Sequence, residues 1–595
     1  MDQHISDNLD LLKIRHSCEH VLTEAMENLF PGILRASGPA TKDGFYFDFE
    51  CPEGLHISEH DFPEIEAEMA RIIKKGLHFH YKELSLKEAR LLFHANPYKQ
   101  EWLNEIKQKH INPTVYWTGA EANAFFDLCA GPHVHSTHEI KAFKLLSIAG
   151  AYWRGNSNNK MLVRIYGTAF SSAKELRQFL WEREEAKKRD HRKLGKELGL
   201  FTFAPDAIGQ GLPLWLPKGT IIREELETWA KQMEQKAGYQ RVVTPIIGKE
   251  ALYECSGHLQ YFKEDMYAPI VIEDEHYYLR PMNCPHHHHV YKSEKRSYRE
   301  LPFRIAEYGN AFRYEASGAL SGLMRTRGFC QNDAHIYCRE DQVADEFINV
   351  LNLYMHYYDT LGIKDYYMRL SKPDLHQQDK YINYPEQWEK ALVILRNAMK
   401  KVAFPYIEVE GEAAFYGPKI DVQIKSAIGT EYTISTNQLD FLSAKRFGLN
   451  YVGADGEVHE VYVIHRAPLG SHERMIAYLI EHYAGAFPLW LSPIHVSIVP
   501  VTDQHLSYCQ DLYNRLNKAG FRIEINDSNE RMNYKIRQAA INKYPFIAII
   551  GDKEVASQTI SIRLRTGEQK CNLSLAEFID IVSKLIVDKS LNLWV

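Results

Sequence analysis

Four side chains that could bind a ligand alternate along one short stretch of the chain. At intervals of two residues the stretch carries Phe329, Gln331, Asp333 and His335. Successive side chains of a β-strand point to opposite faces, so a strand would place these four on one face. A strand buried in a core would carry apolar residues there instead. The pattern predicts a strand face that holds a ligand.

Arginines lie on both sides of a loop rich in glycine and serine just before this stretch. Arg313 and Glu315 precede the loop, and Arg325 follows it. Guanidinium groups bind phosphate oxygens through paired donors, which lysine cannot do in the same way. Glu315 could accept hydrogen bonds from the exocyclic amine of a base, and Phe329 could stack on that base. We predict a nucleoside triphosphate beside a small polar substrate; the alternative is a solvated hairpin with ordinary surface charges.

A second group of reactive residue types begins near the amino terminus. His16 and His20 are four residues apart and would share one face of a helix. Asp127, Cys129 and His133 follow much later, the last two again four apart. Imidazoles and a thiolate in such pairs suit a metal or a hydrolytic site, and the sequence leaves both open. The alternative is a pair of helix-surface histidines without a function.

Periodic apolar residues predict the elements that must position these groups. A helical stripe of apolar residues at Ile222, Leu226, Trp229 and Met233 precedes a short predicted strand at 241–244. Residues 174–200 are dense in charges of both signs, which favours an exposed connector helix. From about residue 493, strand and helix patterns alternate, which predicts a small sheet of parallel character.

Length and composition set further bounds. A chain of 595 residues predicts several domains, and 45% hydrophobic with 25% charged residues is ordinary for a soluble protein. The net charge of −6 shows no global basic bias, so any RNA contact must come from local patches. The nine cysteines include no Cys-x-x-Cys pair, and neither a signal pattern nor a membrane-length apolar run is present. We therefore expect a cytoplasmic protein without membrane contact.

Several short motifs resemble those of known enzymes. Phe312–Glu315 and Gly470–Arg474 resemble the second and third signatures of class II aminoacyl-tRNA synthetases, and the segment around Pro245 resembles the first. Three further segments are similar to motifs of the threonyl-tRNA synthetase family: Pro281–Pro285, Asp333–His335 and Ile464–Ala467. The resemblance covers nearly the whole chain, with its motifs in the expected order, and is therefore far more specific than any single motif.

The resemblance implies a multidomain α+β and α/β protein. It implies a tRNA editing domain at 1–170, of the type shared by threonyl- and alanyl-tRNA synthetases, and a linker helix at 171–200. A catalytic domain built on an antiparallel sheet would span 201–490, and an α/β anticodon-binding domain 491–595. We expect the small extra amino-terminal domain of bacterial relatives to be absent, because the predicted first helix begins near residue 9.

The resemblance also implies a zinc site. Cys284, His335 and His465 lie far apart in sequence, and their spacing alone is weak support. As a set they suit zinc with one position left open for substrate. Threonine could coordinate through its amino group and hydroxyl, whereas isosteric valine lacks the hydroxyl. Serine shares that hydroxyl, so binding cannot exclude it, and a second, hydrolytic site becomes useful. That site would use His16, His20, Asp127, Cys129 and His133.

Individual roles follow from the same resemblance. Gln331, Asp333 and Tyr416 would orient threonine, while His258 would act as general base in transfer to tRNA. Arg313 would hold the α-phosphate and Arg474 would stack over adenine and meet the γ-phosphate. Lys419 would join Arg313, Arg474 and His258 in catalysis, and the remaining ATP contacts would come from Glu315, Arg325, Phe329, Gln331, Thr436 and Gln438. Residues that could read anticodon bases are Asn529, Arg531, Glu554 and Arg563, although each alone could be a solvated surface residue.

Two positions depart from the family pattern. After Cys284–Pro285 the family has Gly then His, whereas this chain has His286–His289. The extra imidazoles could crowd the turn beside Cys284 and misligate the metal, but we expect an exposed run. Thr433 stands where the family has a glutamine that contacts the nucleotide, which puts that contact in doubt.

The function implied is an ATP-dependent ligase. It would activate threonine as an adenylate, transfer it to the 3′ end of the threonine tRNA and hydrolyse seryl-tRNA at a separate site. Magnesium would accompany ATP, and a homodimer would form through the catalytic domain. Three alternatives stay open: a paralogue that only binds RNA, a free-standing hydrolase needing only residues 1–170, and a synthetase for another amino acid such as serine.

Overall fold

The computed structural model describes residues 2–120, 124–156, 158–374, 376, 381, 384–425 and 431–594. The chain forms two compact units, Met1–Glu184 and Glu185–Val595. Among the described helices, none combines the length and the apolar character that crossing a membrane requires.

The first unit is built from helices on two antiparallel sheets. One sheet has the strand order β1-β2-β7-β6 and the other β3-β4-β5. The helices are α1 (Asp2–Leu29), α2 (Phe62–Lys74), α3 (Leu86–Leu92), α4 (Pro97–Gln108) and α5 (Ala173–Arg189), which continues into the second unit. The strands are β1 (Leu34–Ser37), β2 (Phe45–Glu50), β3 (Phe79–Glu83), β4 (Thr114–Thr118), β5 (Phe125–Leu128), β6 (Ala142–Tyr152) and β7 (Met161–Phe170).

Helix α1 is long because one of its faces is apolar over several turns. Cys18, Val21, Leu22, Ala25 and Met26 follow the spacing of one helical face, and all are fully buried. They belong to one core with the aromatic residues of β2. The face that carries His16 and His20 is thereby held in a fixed orientation within this unit.

The second unit contains an eight-stranded sheet with the order β10-β15-β16-β23-β20-β19-β17-β18. Its first and last strand pairs are parallel, and the pairs between them are antiparallel. The sheet strands are β10 (Gln240–Arg241), β15 (Phe303–Phe312), β16 (Gly328–Cys338), β17 (Tyr366–Lys372), β18 (Tyr406–Glu410), β19 (Lys419–Lys425), β20 (Glu431–Asp440) and β23 (Tyr462–Ala467).

Helices pack on this sheet, and the other described strands of this region form the three-stranded sheets β11-β13-β12 and β14-β21-β22 and the pair β8-β9. The helices are α6 (His191–Glu197), α7 (Pro217–Lys236), α8 (Glu250–Cys255), α9 (His258–Tyr261), α10 (Cys284–Lys292), α11 (Val343–Thr360), α12 (Pro385–Val402), α13 (Ser443–Phe447) and α14 (His472–His482). The smaller strands are β8 (Phe201–Thr202), β9 (Leu214–Trp215), β11 (Ile247–Lys249), β12 (Ile270–Ile272), β13 (Glu275–Leu279), β14 (Arg296–Ser297), β21 (Asn450–Val452) and β22 (Val458–Glu460).

The predicted apolar stripe forms the buried face of α7. Ile222, Leu226 and Trp229 lie in one core with residues of α11, α14 and the sheet. The strand expected at 241–244 is shorter, because the backbone N–H of Thr244 donates to the side chain of Glu307 instead of continuing the ladder. The charged connector is helical as predicted, but it is divided between α5 and α6.

The carboxyl-terminal region holds a mixed five-stranded sheet with the order β25-β24-β26-β27-β28. The first three strands are parallel, as the alternating pattern predicts, and the last two are antiparallel. The strands are β24 (Val496–Pro500), β25 (Ile523–Ile525), β26 (Phe546–Ile550), β27 (Thr559–Leu564) and β28 (Gln569–Ser574). The helices are α15 (Leu506–Lys518), α16 (Met532–Ile541), α17 (Asp552–Ser557) and α18 (Leu575–Val587).

Candidate functional site

The register of four neighbouring strands brings distant polar residues together. His335 on β16 lies opposite His465 on β23, and His465 lies opposite Gln438 on β20. Gln438 in turn lies opposite Lys419 on β19. Directly opposite residues share a face of the sheet. The alternating face predicted on β16 therefore continues across three more strands.

A cleft opens above this face. One cavity of about 510 Å³ is lined by Cys284, Asp333, Tyr416 and His465, among others. A second cavity of about 240 Å³ is lined by residues at the positions considered for nucleotide contact, among them Glu315, Arg325, Phe329, Thr433 and Arg474. Both cavities share the lining residues Arg313, Gln331, Lys419, Thr436, Gln438 and Ala467. They are therefore two parts of one cleft.

Cys284, His335 and His465 converge at one end of the cleft. One ligand atom from each lies within 4.8 Å of the others. The Nε2 atom of His465 is 2.9 Å from a carboxylate oxygen of Asp440. The other Asp440 oxygen accepts backbone N–H groups of Leu442 and Ser443. A thiol and two buried imidazoles, one of them oriented by a fixed carboxylate, form a donor set that fits a metal ion.

The histidine run beside Cys284 is not exposed as the sequence suggests. His286, His287 and His288 are buried, and His289 is the exposed member. The run lies in the first turns of helix α10, which begins at Cys284. His287 and His288 contact His335 and Tyr337 of β16, so these imidazoles, like that of His286, lie in the interior. The prediction of an exposed run is therefore wrong for these three residues.

The wall beside the cluster carries the residues predicted to orient an amino acid. The buried carboxylate of Asp333 accepts a hydrogen bond from the Asn283 amide at 3.0 Å, and burial raises the pKa of Asp333. Tyr416 donates to the side chain of Gln438, and its ring stacks on His465. Among the described residues, the buried side-chain oxygen of Gln331 has no hydrogen-bond partner. A carboxylate and an amide oxygen together suit an ammonium group.

The other end of the cleft carries two half-buried guanidinium groups. Arg313 donates to the backbone carbonyl of Pro281 and lies over the ring of Phe329. Arg474 donates to two backbone carbonyls, those of Met324 and Thr433. Burial lowers the pKa of both groups, and the positive charges of Arg313 and Arg325 lower the pKa of Arg474 further. Like charges held close together suit a polyanion such as a triphosphate.

Glu315 and Arg325 are paired with each other. The Arg325 guanidinium lies 2.7 Å from a Glu315 oxygen, and its side chain is 53% exposed. The sequence assigns Glu315 to a base amine and Arg325 to phosphate. In the structure the two groups form one ion pair at the rim of the cleft. To bind a base amine or a phosphate, Glu315 or Arg325 must therefore leave this ion pair or bind the ligand while it remains paired.

Asp421 is a cleft residue that the sequence analysis missed. It is fully buried on β19 and pairs with Lys419 at 2.8 Å and Arg369 at 3.4 Å. Its second oxygen, Oδ1, has no hydrogen-bond partner among the described residues. The available signal was the alternation of Lys419, Asp421 and Gln423, which is the polar face of a strand.

His258 is buried close to the cleft, although it lines neither cavity. Its ring lies 6.2 Å from that of Phe262 and 6.3 Å from that of Phe415, and both of these phenylalanines line the first cavity. The Ser256 hydroxyl donates to the carbonyl of Tyr253, so the Nδ1–H of His258 donates to Ser256 and Nε2 keeps its lone pair. Burial, helped by Arg313, lowers the pKa of His258 to about 3.

A second site lies in the first unit. One ligand atom each of His16, His20, Cys129 and His133 falls within 4.8 Å of the others. The Cys129 sulfur is 3.3 Å from Nε2 of both His16 and His133. Burial raises the pKa of the Cys129 thiol to about 12 and lowers the pKa of His16. At neutral pH the site therefore presents a thiol and neutral imidazoles.

Asp127 lies beside this cluster in a buried ion-pair network. Its carboxylate is 2.8 Å from Nζ of Lys99 and 3.4 Å from the guanidinium of Arg35. Lys99 and Arg35 were missed by the sequence analysis, because an isolated lysine and an isolated arginine carry no pattern. The network fixes β5 directly before the turn that bears Cys129.

The four anticodon candidates lie on different elements of the carboxyl-terminal region. Asn529 and Arg531 are exposed before α16. Glu554 lies in α17, where its carboxylate accepts the Gly551 N–H and the Ser561 hydroxyl. Arg563 is half-buried on β27. Glu554 is thus occupied in holding α17, while Asn529 and Arg531 face solvent.

Family comparisons match all three regions. Residues 267–483 match the class II tRNA synthetase core domain (G, H, P, S and T). Residues 495–585 match an anticodon-binding domain, and residues 114–166 match the threonyl and alanyl tRNA synthetase second additional domain.

Individual relatives agree with these matches. The threonine–tRNA ligase of Geobacillus sp. (strain WCH70) is 48% identical over 581 residues, which are 97% of this chain and 88% of the relative. That of Listeria welshimeri is 47% identical over 569 residues, 95% of this chain and 88% of the relative. The crystal structure of the RNA binding domain of threonyl-tRNA synthetase from Cryptosporidium parvum aligns with a TM-score of 0.63 and 34% identity, covering 66% of this chain and 98% of that one. The chain belongs to the threonine–tRNA ligase family of class II aminoacyl-tRNA synthetases.

Proposed function

We propose that the chain activates L-threonine with ATP, transfers the threonyl group to the 3′ end of its tRNA and hydrolyses seryl-tRNA at the site in its first unit. The observation that carries this proposal is the single cleft of the second unit. It joins a Cys–His–His cluster at one end to the half-buried guanidinium groups of Arg313 and Arg474 at the other. Such a cleft suits a small hydroxyl-bearing amino acid placed next to a triphosphate.

We propose that Cys284, His335 and His465 hold a zinc ion. When bound, it would supply a Lewis acid that takes the amino group and hydroxyl of threonine. The chain's own residues would orient the substrate: the oxygens of Asp333 and Gln331 would accept hydrogen bonds from the N–H groups of the amine, and Tyr416 closes the wall beside His465. Valine lacks the hydroxyl, and a site built to bind a hydroxyl rejects such an analogue strongly.

In activation, a carboxylate oxygen of threonine attacks the α-phosphorus of ATP and pyrophosphate leaves with the bond electrons. Negative charge accumulates on the α-phosphate oxygens, where we place Arg313, and on the pyrophosphate, where we place Arg474 and Lys419. Phe329, Thr436 and the Glu315–Arg325 pair would contact the nucleoside. A carboxylate repels the negatively charged phosphate oxygens of ATP. We therefore propose that Oδ1 of Asp421, which has no hydrogen-bond partner among the described residues, would bind the magnesium ion that accompanies ATP.

In transfer, a ribose hydroxyl of the terminal adenosine attacks the carbonyl carbon of the adenylate and AMP leaves. We propose that Nε2 of His258 accepts the hydroxyl proton. The orientation set by Ser256 leaves this nitrogen unprotonated, and the depressed pKa keeps the imidazole neutral at working pH.

Serine also offers an amino group and a hydroxyl, so we propose that seryl-tRNA is hydrolysed in the first unit. Water would attack the ester carbonyl and the tRNA ribose oxygen would leave. Nδ1 of His16 faces the carbonyl of Pro132 at 3.2 Å, so Nδ1 carries the hydrogen and Nε2 carries the lone pair. We propose that Nε2, which lies 3.3 Å from the Cys129 sulfur, accepts the proton of a water bound between them. The raised pKa of Cys129 argues for a positioned thiol rather than a thiolate nucleophile.

We propose that the editing domain spans residues 1–170, the linker helix 171–200, the catalytic domain 201–490 and the anticodon-binding domain 491–595. We propose that the anticodon-binding domain binds the anticodon. Asn529 and Arg531 face solvent, so we propose that they contribute more to this binding than Glu554 or Arg563. Unstacked loop bases offer edges to such side chains.

We also propose a homodimer through the catalytic region. Val243 is 93% exposed, and Ile246, three residues later, is also exposed. Strand β12 adds the exposed side chains of Ile270, Val271 and Ile272, with Val271 61% exposed. Exposed apolar groups on this scale indicate an interface. Val243→Glu should convert a dimer to a monomer in sedimentation velocity, whereas Val458→Glu, at another exposed valine, should not. A monomeric wild-type protein would refute the proposal.

The main test is amino-acid-dependent exchange of pyrophosphate into ATP with threonine, serine and valine, before and after metal removal with a chelator. We expect exchange with threonine, weaker exchange with serine and none with valine, and loss of exchange without metal that added zinc restores. Absence of exchange with all three amino acids would favour a protein that only binds RNA.

A further inference from the structure

A chain of hydrogen bonds runs from the Cys–His–His cluster to a second buried carboxylate. The Nδ1 atom of His287 lies 2.7 Å from Nδ1 of His335, and its Nε2 atom lies 3.0 Å from Glu307. Glu307 is itself fixed by the Thr244 hydroxyl at 2.7 Å and by Arg280 at 3.2 Å. His287 is fully buried and Glu307 nearly so.

The carboxylate determines where the protons lie along this chain. A carboxylate oxygen accepts, so the Nε2 atom of His287 carries hydrogen and donates to Glu307. The Nδ1 atom of His287 is then an acceptor, and it must receive the Nδ1–H of His335. His335 therefore keeps the lone pair on Nε2, the nitrogen that lies 2.8 Å from His465 on the cluster side of the ring.

The second imidazole of the cluster is supported in an equivalent way. His465 turns Nε2 to Asp440 at 2.9 Å and Nδ1 to the cluster. Each imidazole is thus anchored at its outer nitrogen to a buried carboxylate, His465 directly and His335 through His287. Hydrogen bonds of this kind fix the ring orientation and tautomer of a metal ligand and raise its basicity.

The other members of the histidine run have different surroundings. His286 has an Nδ1 atom without a partner among the described residues, and His288 contacts the Tyr337 hydroxyl. His289 is exposed. Within the run, the hydrogen-bond connection between His335 and Glu307 passes through His287.

We propose that His287 is a positioning residue that holds His335, through the Glu307–His287–His335 chain, in the one orientation and tautomer able to bind a metal ion. The inference rests on the proposed metal site and deepens it. His287 does not touch substrate or metal. Its contribution is to keep a lone pair directed into the cluster, so that affinity for the metal depends on a residue outside the ligand set.

Two substitutions of similar size separate this role from packing. Asn places its side-chain oxygen near the former Nδ1, whereas Gln places its amide near the former Nε2. His287→Asn therefore keeps an acceptor for His335, and His287→Gln keeps the donor to Glu307 but leaves His335 without its acceptor. His289→Gln makes the same chemical change at the exposed member of the run.

The experiment measures zinc affinity of the full-length protein by competition with a chromophoric chelator, together with the absorption spectrum of the cobalt-substituted protein. We expect His287→Gln to weaken zinc binding about 10–100-fold and to shift the cobalt spectrum. His287→Asn should recover most of the affinity, and His289→Gln should match the wild type. Far-ultraviolet circular dichroism of each metal-free variant establishes that it is folded.

Two results would overturn the inference. Wild-type affinity in His287→Gln would show that His335 needs no such support. Equal weakening in His287→Asn and His287→Gln would show that only the shape of the imidazole matters. A wild-type protein that binds no zinc would instead refute the metal proposal itself, so the two failures are distinguishable.

Discussion

Arg313 and Arg474 are the residues on which the proposed chemistry of activation most depends. Removing a cation from water without a carboxylate partner is costly, and neither arginine takes part in an ion pair of the described residues; desolvation accordingly lowers the pKa of both groups. Both instead donate to backbone carbonyls at the nucleotide end of the cleft. A bound triphosphate would offset that cost, which explains why such an arrangement persists in a folded protein.

Replacing Arg313 with lysine tests this role. Lysine keeps the charge but cannot present a forked pair of donors. We expect Arg313→Lys to reduce threonine-dependent pyrophosphate exchange about 10²–10³-fold, the usual cost of removing one group that stabilises transition-state charge. Arg515→Lys, at an exposed helix position, is the matched control and should leave exchange unchanged. Equal rates for Arg313→Lys and wild type would remove Arg313 from the mechanism.

The pH dependence of transfer follows from His258. Its pKa is lowered to about 3 by burial, so the imidazole stays neutral from pH 5 to pH 8 and is protonated only as the pH falls toward 3. In single-turnover transfer from preformed threonyl-adenylate we expect no inflection near 6.5, the ordinary pKa of histidine. The unfolded chain binds this proton below about pH 6.5, so His258 lowers stability progressively as the pH falls toward 3. An inflection near pH 6.5 that His258→Ala abolishes would contradict the assignment.

At the scale of elements, the register of β16 decides whether the cleft exists. Strand side chains alternate, so a slip of one residue would turn every ligand-binding group of β16 to the opposite face. Ten residue pairs with β15 fix the register, and β23 pairs on the other side. The sequence pattern predicts which residues share a face. It does not predict that His465 and Gln438 lie on the adjoining strands.

Gly470 combines a left-handed backbone with a close approach to a neighbouring strand. It lies between β23 and α14 with φ +57°, and an added Cβ would be 2.2 Å from the Ile434 carbonyl oxygen. We expect Gly470→Ala to lower the free energy of unfolding by about 2–5 kcal/mol, from left-handed backbone and overpacking together. Gly456 has φ +81° and open space around the position of an added Cβ. Gly456→Ala should therefore lower the free energy of unfolding by only about 1–2 kcal/mol. Denaturant titration measures both, and equal costs would contradict the overpacking argument.

At the scale of the whole molecule, the sites proposed for activation and for hydrolysis lie in separate compact units. The cleft residues all belong to Glu185–Val595, and the His16–Cys129 cluster belongs to Met1–Glu184. Substitutions without shared contacts have additive effects. The two activities should therefore be separable by mutation within one full-length chain.

Cys129→Ala tests that separation. We expect hydrolysis of preformed seryl-tRNA to fall about 10²-fold or more, because the thiol that contacts Nε2 of His16 and of His133 is lost and the proton acceptor His16 is no longer positioned. Threonine-dependent pyrophosphate exchange in the same preparation should stay at the wild-type rate. The reciprocal control is Arg313→Lys, which should leave seryl-tRNA hydrolysis intact. A parallel loss of both activities in either variant would show that the units are not chemically independent.

The sequence alone determined the local features: the polar alternating face of β16, the apolar stripe of α7, the helical connector and the order of the family motifs. These follow from side-chain periodicity and turn chemistry, which act between residues close in sequence. Through the family resemblance it also named the Cys284, His335 and His465 set, although their spacing alone carried little weight.

Only the tertiary structure decided what surrounds those residues. It buried three of the four histidines after Pro285, paired Glu315 with Arg325, and brought Asp421, Lys99 and Glu307 next to the candidate sites. Strand register and helix packing set these contacts. Both depend on residues far apart in the chain, and a pattern of neighbouring residues cannot specify which distant strand will lie alongside.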